Sequence, residues 1–448
     1  MRLTFQHPRH GEVAMPAPPA KLSATPAAVK GLPQAADAPP TWPSKPATAG
    51  KGGSAAPLAG IKVLNLGTVI AGAYAGTLRT DLGAEVVKIE PPRGDPMRQF
   101  FETLGAEQDN NPIFELDNRG TRGVVLDIAK PAAREAALKL VRGADVFLTN
   151  VRPQALKRAG LDWDTLRAEN SRLIYCSLTG YGLQGPDADK PGMDIAAFWS
   201  RSGVGAITAP KGVDPFPLRT GMGDHVCSLA TVAAILAAVV ERSRTGEGRL
   251  VETSLMRAGQ YAISSDMAIQ LRLGKLASTR PREQAVQPLA NFFRTADGRW
   301  INILVRQGGA DWPGIAAAAG KPELVDDPRF ASSRSRRENG AALVAELDAG
   351  FASLPSEEVA ARLDAADVTW APYQTPREVI DDPQAHAAGC FVDTPDGKGG
   401  AFRAPAGPVR FPGADDGPKG PAPHLGEHTA QVLAELGYSA AEIEAINA

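Results

Sequence analysis

The stretch "IKVLNLGTVIAGAYAGTLRTDLGAEVVKIEPP", residues 61–92, decides the fold class. It opens with a short apolar strand, Lys62–Leu66, that ends at Gly67. The segment "AGAYAGTLRTDLG" follows, and its small residues predict a helix packed closely on a sheet. A second strand, "AEVVKIE", stops at two prolines, which lack the N–H group that a sheet ladder needs. Strand, helix and strand in this order predict a parallel pair with a helical crossover.

Strands and helices continue to alternate beyond this unit. Further strands are predicted in "GVVLDI", "DVFLTN" and "RLIYCSLTGYG", and "PAAREAALKLVRGA" is a helix with proline at its start and glycine near its end. The alternation predicts an α/β fold with a doubly wound, mostly parallel sheet. Ligands of such sheets bind at the carboxyl ends of the strands, so loops 67–72 and 149–153 are the expected binding region.

A carboxylate opens the most apolar helix of the sequence. In "GMGDHVCSLATVAAIL", Asp224 precedes a run that is apolar nearly all round, which predicts a buried helix over 225–241. Unpaired N–H groups and the helix dipole at that end favour the charged form of Asp224. Gly221 and Gly223 leave room for a bulky ligand, and their N–H groups could bind a developing oxyanion.

The residues alone leave two roles open for Asp224. It could be a helix N-cap, which stabilises a helix by about 1 kcal/mol, or a nucleophile that reacts with an acyl group. His225 is either a general base beside it or a side chain that points away. We favour the second interpretation because adjacent helical residues do not face each other.

The rest of the chain divides by composition. Residues 1–56 are rich in Pro and Ala with few large aliphatic residues, which predicts a disordered tail. Residues 57–280 form the N-terminal part of a large α/β domain. A smaller α+β domain spans 285–370 and contains a hairpin that turns at Asp297-Gly298. Residues 371–448 are a Pro/Gly-rich linker and a C-terminal segment.

Bulk composition excludes several functional classes. The chain has 448 residues, a formal net charge of −2 and 43% hydrophobic residues, so neither nucleic acid nor an anionic membrane is an expected partner. Three scattered cysteines without CxxC, and six histidines without HExxH, suggest no zinc site and a reducing cytoplasm. The chain also lacks GxGxxG, GxxxxGK[ST] and GxSxG, which disfavours an NAD fingerprint, a P-loop and a serine-hydrolase elbow.

Six stretches together resemble the family III CoA-transferases, in the order of the family and from Pro57 to the C-terminus. They are "PLAGIKVLNLGTVIAGAYAGTLRTDLGAEVVKIEPPRGDPMR", "DNRGTRGVVLDI", "ADVFLTNVRPQALKRAGLDWDTLRAENSRLIYCSLTGYGLQGP", "ERSRTGEGRLVETSL", "FFRTADGRW" and "PAPHLGEHTAQVLAELGYSAAEI". The resemblance implies a Rossmann-like large domain completed by the last segment of the chain. It also implies a small domain on two long linkers and an interlocked homodimer.

The resemblance further implies a cytoplasmic enzyme without a permanently bound cofactor or metal. Its substrates would be an acyl-CoA donor and a carboxylic-acid acceptor. In such transferases an aspartate, matched here by Asp224, attacks the thioester to give a mixed anhydride and then an aspartyl-CoA thioester. The family also contains α-methylacyl-CoA racemase, so the fold alone does not select the reaction.

Nine residues are expected to contact CoA. The stretch "NVRPQALKR" resembles a family contact region and supplies cations after a strand, and Gly192, Met193 and Asp194 would flank the thioester. Asp194 could equally cap a helix. The full set is Val69, Arg93, Arg122, Asn150, Arg152, Arg158, Gly192, Met193 and Asp194.

Two departures from the family bear on specificity. Formyl-CoA transferase has a glycine-rich mobile loop where this chain has "RPREQAVQP", which argues against formyl or oxalate substrates. The racemases have a histidine where this chain has Met193, and a thioether cannot take up a proton. We therefore expect CoA transfer, with a racemase or a non-catalytic CoA-thioester-binding protein as alternatives.

Overall fold

The chain folds as two compact units. The computed structural model describes residues 2–7, 11–16, 20–22, 56–103, 111–306 and 309–447. The first unit comprises Met1–Ala206, Phe216–Leu276 and Gly389–Ala448, and the second comprises Ile207–Pro215 and Ala277–Ala388. The second unit is therefore longer than the predicted small domain, 285–370, and includes a short segment from the middle of the chain.

Among the described residues, nine strands belong to the N-terminal part of the first unit. They are β1 Arg2–His7, β2 Gly11–Pro16, β3 Ala20–Leu22, β4 Lys62–Leu66, β5 Glu85–Glu90, β6 Arg122–Val125, β7 Val146–Thr149, β8 Ile174–Thr179 and β9 Arg249–Ser254. One sheet has the order β3-β9-β8-β7-β4-β5-β6. Its strands β4 to β9 pair in parallel, and β3 is antiparallel to β9.

This order confirms the predicted fold class. If β4 to β9 are numbered one to six along the chain, their spatial order is 3-2-1-4-5-6, which is the doubly wound arrangement. The order reverses between the neighbouring strands β4 and β7. Loops that follow these two strands diverge to opposite faces of the sheet and leave a crevice between them.

Helices cover both faces of the sheet. In this part of the chain they are α1 Ala71–Thr80, α2 Phe100–Thr103, α3 Pro112–Asn118, α4 Pro131–Gly143, α5 Pro153–Ala159, α6 Trp163–Glu169, α7 Val204–Thr208, α8 Met222–Thr245, α9 Leu255–Ala262 and α10 Ser264–Leu273. A 3₁₀ turn spans Pro96–Gln99, and a π-helical turn spans Ile195–Ser200.

Two apolar clusters hold these layers together. Ala75 of α1 and Ile235 of α8 pack with Cys176 of β8 on one face, and Val141 of α4 packs with Phe147 of β7 on the other. All ten residues of α1 are buried, which explains its small side chains. Helix α8 has the length and hydropathy to cross a membrane, but half of that stretch is buried within the protein, as in a core helix.

The second unit is an α+β domain, as predicted. Its antiparallel sheet contains β10 Asn291–Arg294, β11 Trp300–Ile303 and β12 Trp370–Tyr373. Gly298 has φ 80° at the hairpin turn, a conformation that glycine adopts without strain. The helices are α11 Trp312–Ala318, α12 Ser333–Glu338, α13 Gly340–Phe351, α14 Ser356–Ala365, α15 Pro376–Ile380 and α16 Pro383–Ala387, with 3₁₀ turns at Arg282–Gln284 and Pro322–Val325.

The last segment returns to the first unit. It contains a hairpin of β13 Phe391–Pro395 and β14 Ala401–Pro405, followed by α17 Thr429–Glu435 and α18 Ala440–Asn447. Side chains of His428 and Thr429 accept hydrogen bonds from backbone N–H groups of Gly123 and Val125. The C-terminal segment thus covers the free edge of strand β6.

The structure differs from the disordered tail predicted for residues 1–56. Strands β1 and β2 form an antiparallel hairpin, and β3 pairs with the edge strand β9. Composition reflects the apolar surface that a segment can bury, but β3 is also held by the backbone N–H and C=O groups of the edge strand β9, which an added strand can satisfy. Residues 23–55 lie outside the described residues.

Candidate active site

A cavity of about 280 Å³ lies where the sheet order reverses. Its wall includes loop residues that follow β4 and β7, among them Val69 and Asn150, together with Asp224 of α8. This is the position that sheet topology predicts for a ligand. Six of the ten residues predicted from sequence line it, namely Val69, Asn150, Arg152, Gly192, Met193 and Asp224.

Asparagine side chains hold the loop between β4 and α1. Asn150 accepts a hydrogen bond from Thr68 N–H (3.0 Å) and donates one to its carbonyl (2.8 Å). Asn65 accepts from Gly67 N–H (2.8 Å) and donates to the carbonyl of Gly72 (3.1 Å). A Cβ on Gly67 would lie 2.8 Å from Cα of Gly72, so the tight turn requires glycine at these positions.

Asp224 lies in the first turn of α8 but does not cap it. The helix begins at Met222 after an N-cap at Gly221, whose φ is 83°. Within the described part of the chain, no hydrogen bond reaches the carboxylate of Asp224, and the residue is 9% exposed. The capping role considered from sequence is therefore wrong, and the carboxylate is left free at the cavity wall.

The electrostatics of Asp224 also differ from the expectation. Burial, and then the neighbouring charges of Asp194 and Asp117, raise the pKa of Asp224 to about 7, although His225 acts in the opposite direction. The helix dipole favours the charged form, as expected from sequence, but desolvation has the larger effect here. At neutral pH, Asp224 therefore exists in both protonation states, and its ionised form is a more basic carboxylate than one in water. Perturbed groups of this kind cluster at functional sites.

Asp194 fixes the turn that leads into α8. Its carboxylate accepts hydrogen bonds from Ile195 N–H (2.8 Å) and Gly221 N–H (3.0 Å). The N–H of Gly221 is therefore not free for an oxyanion. A Cβ on Gly223 would lie 2.5 Å from the ring of Phe198, so close helix packing, rather than ligand access, requires this glycine.

His225 points away from the cavity, as favoured from sequence. Its Nε2 lies 3.4 Å from Oδ1 of Asp117, and its ring centroid lies 4.5 Å from that of Tyr74. Asp117 is fully buried, and burial raises the pKa of this carboxyl to about 6. His225 thus contacts α1 and α3 rather than the cavity.

Three predicted arginines lie outside the cavity wall. Arg93 and Arg158 are exposed and do not line it. Arg122 is the first residue of β6, so it lies at the amino edge of the parallel sheet, opposite the crevice. It forms ion pairs with Glu85 (3.1 Å) and Glu435 (2.7 Å). This position does not fit the predicted CoA contact at Arg122.

The sequence profile of CoA-transferase family III matches residues 58–429. The chain belongs to this family. It is 32% identical over 391 residues to (R)-2-hydroxy-4-methylpentanoate CoA-transferase of Clostridioides difficile, covering 86% of this chain and 97% of that protein. Succinate--glutarate CoA-transferase of Agrobacterium fabrum is 30% identical to this chain, and the match covers 85% of this chain and 96% of that protein. A CAIB/BAIF family protein from Brucella suis superposes with a TM-score of 0.76 at 30% identity, over 85% of this chain and 100% of that one.

A family III CoA-transferase needs cations for the CoA phosphates, and two lie at the cavity. Arg152 and Lys190 are exposed, line the cavity and form no ion pair with another described residue. Lys190 is not among the CoA contacts predicted from sequence, although it directly precedes Pro191 and the predicted contact Gly192. Among the described residues, no cluster of His, Cys, Asp and Glu could hold a metal ion.

Proposed function

We propose that this transferase moves CoA from an acyl-CoA thioester to a free carboxylic acid, with Asp224 as the nucleophile. The observation that carries the proposal is the carboxylate of Asp224, buried at the switch-point cavity without a capping role. A desolvated carboxylate whose pKa is raised to about 7, and which accepts no hydrogen bond from another described residue, suits nucleophilic catalysis.

The reaction balances without a net proton transfer. A carboxylate oxygen of Asp224 attacks the thioester carbon, the C–S bond breaks and CoA leaves as a thiolate. The thiolate attacks the Asp224 carbonyl of the resulting anhydride, which releases the donor acid and gives an aspartyl-CoA thioester. The acceptor carboxylate attacks this thioester and expels the thiolate. Attack of the thiolate on the acceptor carbonyl then gives the new acyl-CoA and restores Asp224.

The wall of the cavity supports this chemistry. Arg152 and Lys190 can bind the CoA phosphates, because a charge-assisted hydrogen bond to phosphate is stronger than one to a neutral group. Val69, Ile70 and Leu255 give an apolar surface for the pantetheine arm and the acyl group. CoA thus enters as a substrate, and the proposal includes no resident cofactor.

The test is a transfer assay with a panel of donors and acceptors. The relatives are named for acids as different as 2-hydroxy-4-methylpentanoate and glutarate, so the panel should contain hydroxy acids, dicarboxylic acids and branched acids with their CoA thioesters. We expect transfer for at least one pair and none with Asp224→Asn. Wild-type transfer by Asp224→Asn would contradict the proposal. Asp311→Asn, which changes a buried carboxylate of the second unit, is the matched control and should retain transfer.

A racemase reaction is not favoured because Met193 occupies the cavity wall and cannot act as a base. In deuterium oxide, a 2-methylacyl-CoA should gain no deuterium at its α-carbon at a catalytic rate. Rapid exchange that depends on Asp224 would instead place the enzyme with the racemases. CoA binding without transfer for any pair, and without exchange, would favour a binding protein.

An interlocked homodimer in the cytoplasm completes the proposal. Helix α8 exposes an apolar stripe, with Met222 57%, Leu229 43% and Val240 60% exposed, and a stripe of this kind on a folded chain marks an interaction surface. A second copy of the chain is the expected partner. Sedimentation should give a dimer that yields no folded monomer on dilution, and a concentration-dependent monomer would contradict this. Cell fractionation tests the location.

A further inference from the structure

The backbone of Val69 has an unusual conformation at the cavity wall. Its φ is 64°, in the left-handed region that a β-branched residue avoids. Among the described residues, Asp367 is the only other residue besides glycine with a positive φ. A strained residue persists only where its surroundings hold it, and such residues cluster at ligand sites. The residues that bind the backbone of Val69 are therefore those that hold this part of the cavity wall in its shape.

The group that holds Val69 is the carboxylate of Asp95. The N–H of Val69 donates to both carboxylate oxygens of Asp95, at 3.0 and 3.2 Å. Asp95 is fully buried and also accepts a hydrogen bond from Met97 N–H at 2.9 Å. A charged acceptor binds a backbone N–H more strongly than a neutral one does, so this contact can offset the strain at Val69.

Asp95 is itself fixed by a buried network. Nζ of Lys88 lies 2.6 Å from Asp95 and 2.6 Å from Oδ1 of Asn118, and none of the three is exposed. The N–H of Asp95 donates to Glu90 at 2.8 Å, and Glu90 pairs with Arg98 at 2.6 Å. Because every partner is held by another, the carboxylate has little freedom to move away from Val69.

The other side of the loop is also fixed. Asn150 forms two hydrogen bonds with the backbone of Thr68, the residue that precedes Val69. Asn150, which lines the cavity, thus holds Thr68, and Asp95, which does not line it, holds the adjacent Val69. The buried ion pair between Lys88 and Asp95 is weak evidence that Asp95 serves stability, because such pairs often add little to it. A purely stabilising role would also not require Asp95 to contact the strained backbone of Val69.

We propose that Asp95 is a positioning residue for the CoA thioester. It acts through Val69, whose backbone it keeps in the left-handed conformation that shapes the cavity wall beside Asp224. The inference rests on the proposed function, because the ligand it assigns to the wall is CoA. It adds a residue outside the cavity, Asp95, to those that determine CoA binding.

The test is CoA affinity measured by calorimetry in Asp95→Asn, with and without Val69→Gly. The amide replaces one acceptor oxygen by a donor, so the N–H of Val69 loses one of its two acceptors whichever way the amide is oriented, and either Met97 N–H or Lys88 loses its bond as well. CoA affinity should therefore fall by about tenfold, as expected when a strained residue relaxes. Glycine adopts a positive φ without strain. In the double variant Val69→Gly/Asp95→Asn, affinity should therefore return to within about threefold of that of Val69→Gly alone.

Controls separate positioning from folding. Asp81→Asn breaks another buried pair, with Arg119 at 2.6 Å, away from the cavity wall, and should lower the melting temperature but leave CoA affinity unchanged. If Asp95→Asn does not fold, Lys88→Met/Asp95→Asn removes the unpaired ammonium and should show the same loss and the same rescue.

Unchanged CoA affinity in a folded Asp95 variant would overturn the role given to Asp95, as would a failure of Val69→Gly to reduce the loss. Absence of CoA binding by the wild-type chain would instead overturn the proposed function, and this role with it. The two failures are therefore distinguishable.

Discussion

Asp224→Asn should stabilise the protein, and the gain should grow with pH. The pKa of Asp224 is about 7 in the folded chain, against an ordinary value of 3.8, so ionising it costs about 4 kcal/mol more in the fold than in water. Unfolding releases a proton between these two pH values, and the wild type therefore loses stability as pH rises from about 4 to about 7. Asparagine carries no charge and avoids this loss. Its advantage should increase by about 2.5 kcal/mol between pH 5 and pH 8.

Urea unfolding, followed by tryptophan fluorescence at the two pH values, measures this difference. Glu90→Gln is the matched control in the same unit. Burial alone would raise the pKa of Glu90, but hydrogen bonds from Arg98 and the charge of Lys88 keep it below its ordinary value. This variant should be destabilised at both pH values, with little change between them. An advantage of Asp224→Asn that is equal at pH 5 and pH 8 would refute a raised pKa at Asp224.

Three further predictions follow from the site and the sheet edge. In the wild type, kcat/KM should rise with pH around a midpoint of about 7, the pKa of Asp224. Asp194→Asn should move this midpoint to lower pH because it removes a negative charge that repels ionised Asp224. An unchanged midpoint would contradict this electrostatic explanation. Arg152→Ala should weaken CoA binding by about 1.5–3 kcal/mol, whereas Arg158→Ala should not, so an equal loss in both would show that the cavity is not the CoA site. Deleting residues 1–22 should expose the edge of β9, lower the melting temperature and promote aggregation; a truncated chain as stable as the full chain would count against the pairing of β3.

The fold could be predicted because its signals are local. The apolar run Lys62–Leu66 and the run around Phe147 each end at a loop-forming segment, which predicts two strands. The small residues between 71 and 80 predict a helix that packs closely on the sheet. Parallel strands bring their carboxyl ends to one edge, so the sequence alone places Val69, Asn150 and Arg152 in the same region.

The wrong assignments depend on register and packing. Arg122 is a candidate from its position in the chain rather than from an identical motif, but β6 begins at this residue, which places it at the opposite edge of the sheet. The pKa of Asp224 depends on burial and on the charges of Asp194 and Asp117, which lie 30 and 107 residues away in the sequence. Lys88 and Asp95 are fully buried, although charged residues mostly lie at protein surfaces, and no prediction from sequence concerned this pair. None of these outcomes is encoded within a few residues of the group concerned.

Covalent trapping at Asp224 tests the central claim most directly. The carboxylate becomes an anhydride and then a thioester during the proposed turnover, and hydroxylamine converts either of them to a hydroxamate. After incubation with hydroxylamine and a donor from the transfer panel, mass spectrometry of the peptide "TGMGDHVCSLA" should show the hydroxamate at Asp224. The same peptide should stay unmodified without acyl-CoA and in Asp224→Asn. An unmodified Asp224 in wild-type enzyme that is turning over a true donor–acceptor pair would contradict the account.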